Sequence, residues 1–292
     1  VFSDAGFNAS LNLVDSGLGA LALDPRWSGS WLLSQTAATS ASRRALVWSL
    51  PVPPGATAID VGCGFGAFVV ELATRHQIRS VGVDFDSDVL GAARQLGSHV
   101  SANGGLAPGS TVGFAAGDSY ALPFPDRSVD FAAARFLFQH LGRPEEAAAE
   151  LARVTRPGAV VCVIDADDGL SISEPPPSPE FERLASALRS VQTGSGGNRF
   201  IGRRLAGVLD SAGFAPAQVL VLPQASYTSS GADDPARRVL VQRFQAARTP
   251  ILERRIMTAA EFDADLRALA EETPGPVCEI EGHIAVVATR RS

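Results

Sequence analysis

Lysine is missing from this chain: all 25 basic residues are arginine, a bias that fits GC-rich coding and from which no function is read. Against 31 acidic residues the formal net charge is -6, with a pI near 5.3. That balance, with no basic stretch and no interleaved aromatic platform, argues against nucleic acid and anionic membrane surfaces as partners. Cysteine is scarce as well. Cys63, Cys162 and Cys278 are odd in number and far apart, which is the usage of reduced cytoplasmic thiols. Apolar runs stay below the roughly 18 residues needed to cross a bilayer, and residues 1–12 lack a basic region ahead of an apolar core. The chain therefore reads as soluble and cytoplasmic. No His-x-x-x-His or Cys-x-x-Cys spacing occurs, so no metal is expected.

What is present is an acid placed directly before a glycine turn: Ala58-Ile59-Asp60-Val61-Gly62-Cys63-Gly64-Phe65-Gly66-Ala67. An apolar strand, three alternating glycines and a helix start let backbone approach a ligand closely at the positive end of a helix. Asp60 at the strand end would repel a pyrophosphate and attract an ammonium or sulfonium group, and S-adenosylmethionine carries both. About 20 positions beyond the turn, where such sheets place an acid for ribose hydroxyls, stands Asp84 in Ser80-Val81-Gly82-Val83-Asp84-Phe85-Asp86. Between them, residues 68–76 have helical apolar spacing and a basic end.

With Gly117-Asp118 to Asp130 and Glu150-Leu151-Ala152-Arg153-Val154-Thr155-Arg156-Pro157-Gly158, these motifs resemble the class I S-adenosylmethionine-dependent methyltransferases. The likeness is to their small-molecule branch, similar to the ubiquinone/menaquinone-biosynthesis enzymes, and it covers roughly residues 35–220. It implies a cofactor set of Asp60, Gly62, Cys63, Gly64, Gly66, Asp84, Phe85, Asp118, Ser119, Arg135 and Phe136, with Asp118 toward the adenine amino group. It also implies S-adenosylhomocysteine as product and no metal.

The rest of the chain fits an α/β fold, a Rossmann-like doubly wound, mostly parallel seven-stranded sheet with an antiparallel edge strand and helical cap insertions. Strands are predicted at 111–116, 131–136, 159–164, 218–222 and 282–289, and helices at 30–50, 87–98, 145–154, 203–214, 235–247 and 259–272. Residues 1–50 read as a helical arm over the cofactor, its first 29 holding one short helix. Residues 51–222 form the core, with a proline-stiffened insertion at 170–198. About 55 residues separate the last two strands, too many for a hairpin loop, so 223–279 reads as a cap closing the substrate pocket before the final strand at 280–292. The chain is expected to be a monomer or homodimer.

An activated methyl donor asks the protein mainly for alignment and exclusion of water, and orientation supplies on the order of 7–11 kcal/mol. A hydroxyl acceptor also gains from a base, worth roughly 10²–10⁴-fold. By resemblance that base is His140 in Phe136-Leu137-Phe138-Gln139-His140-Leu141, with Asp165 as its supporting acid. Trp31 and Gln35 in the arm and Tyr227 beside the cap are candidate substrate contacts. His76, His99 and His283 read as surface or strand-face residues. The expected function is O-methylation of a small, fairly apolar specialised metabolite. The alternatives are transfer to carbon or nitrogen by proximity alone, a cyclase or rearrangement catalyst that keeps the cofactor, a noncatalytic binding partner that kept the fold, against which the intact acid-glycine set argues, and a nicotinamide oxidoreductase. The last is raised because Gly62-x-Gly64-x-x-Ala67 satisfies the dinucleotide fingerprint, and Asp60 argues against it.

Overall fold

The apolar runs that alternate with amphipathic segments become parallel strands with helices on both faces. In this computed structural model, which describes residues 4–229, 235–271 and 276–292, five parallel strands lie in the order β3-β2-β1-β4-β5. They are β1 (Thr57–Val61), β2 (Arg79–Asp84), β3 (Thr111–Ala116), β4 (Val129–Arg135) and β5 (Thr155–Ala166). Side chains of β1 alternate between two cores. Ile59 and Val61 pack with Leu151 of α6 (Pro144–Val154) and Leu209 of α8 (Leu205–Ser211), whereas Ala58 packs with Phe68 and Leu72 of α4 (Ala67–Arg75). Asp60 shares the second face, which is why it is buried.

The carboxyl side of the sheet is built by two long antiparallel arms, β7 (Phe214–Thr228) and β8 (Val277–Arg290). β8 pairs with the end of β5, placing His283 opposite Ala166, and then runs past it. The overhang is taken up by β6 (Ile172–Glu174), which pairs with β8 from Cys278 to Ile280. The sheet therefore has eight strands where seven are expected. The added strand lies in the 170–198 insertion, where only a stiff connector and a helix, α7 (Pro179–Gly194), were legible.

The N-terminal arm also departs from expectation. Instead of one short helix, α1 (Asp4–Leu23) spans 20 residues and buries Leu11, Val14, Leu18 and Leu21. The stretch at 30–50 is two helices, α2 (Trp31–Ala38) and α3 (Ser40–Ser49). They break at Thr39, whose hydroxyl donates to the Gln35 carbonyl at 2.9 Å, a back-bond that competes with helix continuation. Arg43 of α3 and Glu71 of α4, both fully buried, fasten arm to core through bonds of 2.7 and 2.9 Å.

The cap consists of α9 (Pro235–Glu253) and α10 (Ala259–Glu271), packed with α7 around Phe244, Ile251 and Phe262. α9 runs beyond the expected 247, carrying Pro250 inside it. Parts of the expected cap, at 230–234 and 272–275, lie outside the described residues. The remaining helix, α5 (Ser87–Ala102), packs against α1 and β3.

Candidate functional site

All the sequence-marked acids sit at the carboxyl ends of the parallel strands, the edge where open α/β sheets bind ligands. After β1 the chain turns through Gly62 to Gly66 into α4. The amides of Gly62 and Cys63 both donate to the Val83 carbonyl, at 2.8 and 3.0 Å, and the Gly64 amide donates to Asp84 Oδ2 at 2.9 Å. Gly66 precedes α4 with φ of 74°, and a Cβ there would stand 2.6 Å from the Phe114 ring. Gly64 has φ of 51°, and the space a Cβ would enter holds only Leu32, at 3.9 Å. That open side leaves room for a ligand against bare backbone. Cys63 contributes turn geometry and not chemistry: its thiol is buried, and burial raises its pKa well above the usual value.

Asp60 lies behind this cradle, 3% exposed, with its Oδ1 buried and without a hydrogen-bond partner. Burial pushes its pKa up to about 7; Arg135 opposes that and Asp84 adds to it. Arg135, at the end of β4, is itself desolvated to a pKa of about 10, and its Nε has no partner. Its guanidinium lies 5.6 Å from the Phe68 ring centroid and 5.1 Å from that of Phe136. Phe136 has φ of 55°, a conformation rare for a bulky residue and found where surrounding structure enforces it.

Around the other side, Phe85 follows Asp84 with its ring 85% exposed, an apolar plate in solvent beside a carboxylate. Asp84 Oδ1 also accepts from the Asp86 amide at 3.1 Å. Asp118, after β3, accepts from the Tyr120 amide at 2.9 Å and otherwise faces solvent, with Ser119 next to it.

The expected pairing of His140 with Asp165 does not form. Asp165 accepts from the amides of Gln139, at 3.0 Å, and Ala166, at 2.8 Å, so it braces the turn after β4. Burial raises its pKa to about 7 despite those bonds. His140 Nδ1 instead lies 3.4 Å from Gln192 Nε2, and the residue is exposed to solvent. Desolvation by the surrounding walls, helped by Arg199 and Arg243, brings its pKa down to about 4. Sequence placed Asp165 at the right strand end, but its carboxylate points to backbone.

Next to the crevice, between β7, β8, α2 and the cap, is a cavity of about 280 Å³. The pleat decides what enters it. On β7 Gln224 and Ser226 face in, and on β8 Glu279, Glu281 and His283 do. Tyr227 falls on the opposite parity and is 70% exposed, so the expected substrate contact is not in this wall. Trp31 and Gln35 do line the cavity.

Among the cavity residues that the sequence reading did not mark as functional are His283 and Arg243. His283 lines the wall with its ring edge-on to Phe136 at 4.8 Å, and burial, Arg135 and Arg199 bring its pKa down to about 4. Arg243 of α9 lies with its guanidinium 5.7 Å from the Trp31 ring centroid. The alternation from 277 to 283 was the signal for His283, once β8 is seen to extend below 282.

The family described as methyltransferase domain matches residues 59–163, the stretch that carries Asp60, the glycine cradle, Asp84, Asp118 and His140. The chain carries a class I S-adenosylmethionine-dependent methyltransferase domain. An uncharacterized 37.1 kDa protein in a transposon of Streptomyces fradiae is 31% identical over 207 residues, 69% of this chain and 56% of that protein. The ajmaline N-methyltransferase of Rauvolfia serpentina is 29% identical over 133 residues, 45% of this chain and 44% of its own. The chain thus spans about half the length of these relatives. Among solved structures, a methyltransferase described as putative, from Bacillus halodurans, superposes with a TM-score of 0.57 at 15% identity. It covers 86% of this chain and all of that one, which shows the fold.

The cofactor of class I methyltransferases is S-adenosylmethionine, and S-adenosylhomocysteine is its product. The residues of this methyltransferase domain fit it: an orphaned buried carboxylate oxygen for a cation, an unblocked Gly64, and an exposed Phe85 ring for a flat base. Among the described residues no group of three or more His, Cys, Asp or Glu side chains could hold a metal ion, and no helix is long and apolar enough to cross a membrane.

Proposed function

We propose that this protein methylates a small, partly apolar metabolite of specialised, antibiotic-type biosynthesis, and that the accepting atom is oxygen. The observation that carries the reading is the unpartnered Asp60 Oδ1 behind a glycine cradle, with Phe136 bridging from this edge to His283 of the cavity wall. S-adenosylmethionine supplies a methyl group already activated by its sulfonium. Asp60 attracts the ammonium of the methionine part, and Arg135 offers a positive charge to its carboxylate. Asp84 accepts from the ribose hydroxyls, Phe85 covers the adenine, and Asp118 with Ser119 meets its edge. Gly62, Cys63, Gly64 and Gly66 shape the backbone that lies under the ligand. The cap and α2 keep water out of the acceptor's cavity, so the remaining barrier is chiefly one of alignment.

His140 is the proposed proton acceptor, and its low pKa keeps it neutral at pH 7. The contact from Gln192 bears on this role. If the amide donates to Nδ1, the ring's proton sits on Nε2, and His140 then donates toward the crevice. That geometry favours a second reading, transfer to nitrogen or carbon by alignment alone. A panel of hydroxylated and aminated aromatic acceptors, scored by S-adenosylhomocysteine release and a one-methyl mass gain, tests the proposal. Product carrying the methyl on oxygen, with transfer lowered about 10²-fold or more in His140→Asn, supports it. Full activity in His140→Asn favours the second reading, and no release with any acceptor counts against methyl transfer.

A further inference from the structure

One arginine of the cavity wall has no direct partner for its charge among the described residues. Arg243 lines the wall, and among the described residues its guanidinium has no hydrogen-bond or ion-pair partner; its only described contact is the Trp31 face, 5.7 Å away. The neighbouring arginines differ. Arg199 is bound to Asp168 at 2.7 and 3.0 Å and to Gln139 Oε1 at 2.6 Å, and Arg237 donates to the Leu269 carbonyl at 2.7 Å. A half-buried guanidinium without a direct counter-ion loses hydration that nothing replaces, and a site that keeps one is suited to an incoming anion.

Burial and the nearby Arg199 lower the Arg243 pKa to about 10, with Glu281 and Asp168 acting the other way, so the group stays charged at neutral pH. Glu281 is exposed at the rim, where solvent weakens its effect on a ligand held at Arg243. Trp31, Phe181, Leu240 and the Pro175–Pro177 segment give the cavity an apolar wall, while Gln224, Ser226, Glu279 and Glu281 enter from the β7 and β8 side. The volume of about 280 Å³ is at the small end of ligand sites, which run from about 300 to 1,000 Å³.

We propose that this cavity takes an amphipathic organic acid, its single carboxylate paired with Arg243 and its apolar body against Trp31 and Phe181. Bidentate pairing of guanidinium with carboxylate suits the fork that Arg243 presents, and the aromatic face behind it holds the fork in place. One free guanidinium, with no candidate metal cluster among the described residues, suits one carboxylate better than a diphosphate. The proposal rests on reading the chain as a methyltransferase, since it names the class of acceptor.

The test uses the full chain and a matched pair of probes, 3-phenylpropanoate and its amide. Binding is followed by calorimetry and by tryptophan fluorescence, with Trp31→Phe identifying the reporting ring. The acid is expected to bind at least tenfold more tightly than the amide. Arg243→Gln should abolish that preference, and Arg243→Lys should keep part of it. Equal binding of acid and amide by the unaltered protein, a preference that survives Arg243→Gln, or no binding of the acid at millimolar concentration would each overturn the proposal. S-adenosylhomocysteine is titrated into the same preparations. Its affinity should not change in Arg243→Gln, which also shows that the variant is folded. Loss of nucleoside binding by the unaltered protein with the acid preference intact would sink the methyltransferase reading and leave the anion site standing.

Discussion

Neutralising Asp60 isolates the electrostatic premise of the site. The carboxylate is 3% exposed, has an orphaned Oδ1, and titrates near pH 7 in the free protein. A ligand ammonium needs it ionised, so binding below pH 7 must first remove a proton. For a single group at pH 7 the dissociation constant of S-adenosylhomocysteine should rise about tenfold between pH 8 and pH 6, with about one proton released per ligand at the lower pH. At pH 8, two unit charges 4 Å apart at an effective dielectric of about 20 attract by about 4 kcal/mol. The amide of Asp60→Asn retains part of the hydrogen bonding, so a loss of about a hundredfold is expected, along with disappearance of the pH dependence. Calorimetry at pH 6, 7 and 8 in buffers of differing ionisation heat reads both quantities. Folding should not suffer, because the variant removes a buried acid whose ionised form is disfavoured. An Asp60→Asn affinity within twofold of the parent, or a flat parent profile, would refute the argument.

Three further outcomes follow from the same structure. Glu71→Gln leaves Arg43 charged and buried and should lower stability by about 3–5 kcal/mol, read as a shift of the urea midpoint; a loss below 1 kcal/mol would mean the pair is not buried in solution. Between pH 4 and 6.5 four shifted groups nearly cancel, so stability should rise only gently with pH, by what the depressed His76 adds. Asp60 and Asp165, raised to about 7, lose their contribution as pH climbs, while His140 and His283, lowered to about 4, lose theirs as pH falls. Asp165→Asn should steepen that rise by about 1.4 kcal/mol per unit, measurable by urea titration, and an unchanged slope would contradict the assignment. Gly66→Ala forces a methyl into the Phe114 ring and strains a φ of 74°, and should weaken nucleoside binding at least tenfold by calorimetry.

The proposed donor half was legible because its residues are nearly consecutive. The run from Ile59 to Gly66 and the acid at Asp84 need only a strand, a turn and a helix to meet, and they meet as the spacing implied. α1 was also readable, since Leu11, Val14, Leu18 and Leu21 recur at helical intervals, yet the short apolar steps around Gly17 and Gly19 masked the stripe. The acceptor half depends on contacts between segments far apart in the chain. Arg243 reaches Trp31 from 212 positions away, and His283 enters the cavity only because β8 overruns β5. The failed link between Asp165 and His140 shows the limit of motif transfer: strand ends fix where a side chain starts, while backbone amides decided where this carboxylate went.

The twin arms β7 and β8 separate two design problems that many enzymes must solve with one set of residues. Because every second side chain looks inward, a change at Gln224, Ser226, Glu279 or Glu281 alters the cavity proposed for the acceptor while their neighbours maintain the outer face. None of these four positions belongs to the donor cradle. A lineage carrying this scaffold could diversify its chemistry by spelling new words on one side of a ribbon, leaving the methyl-donor machinery untouched.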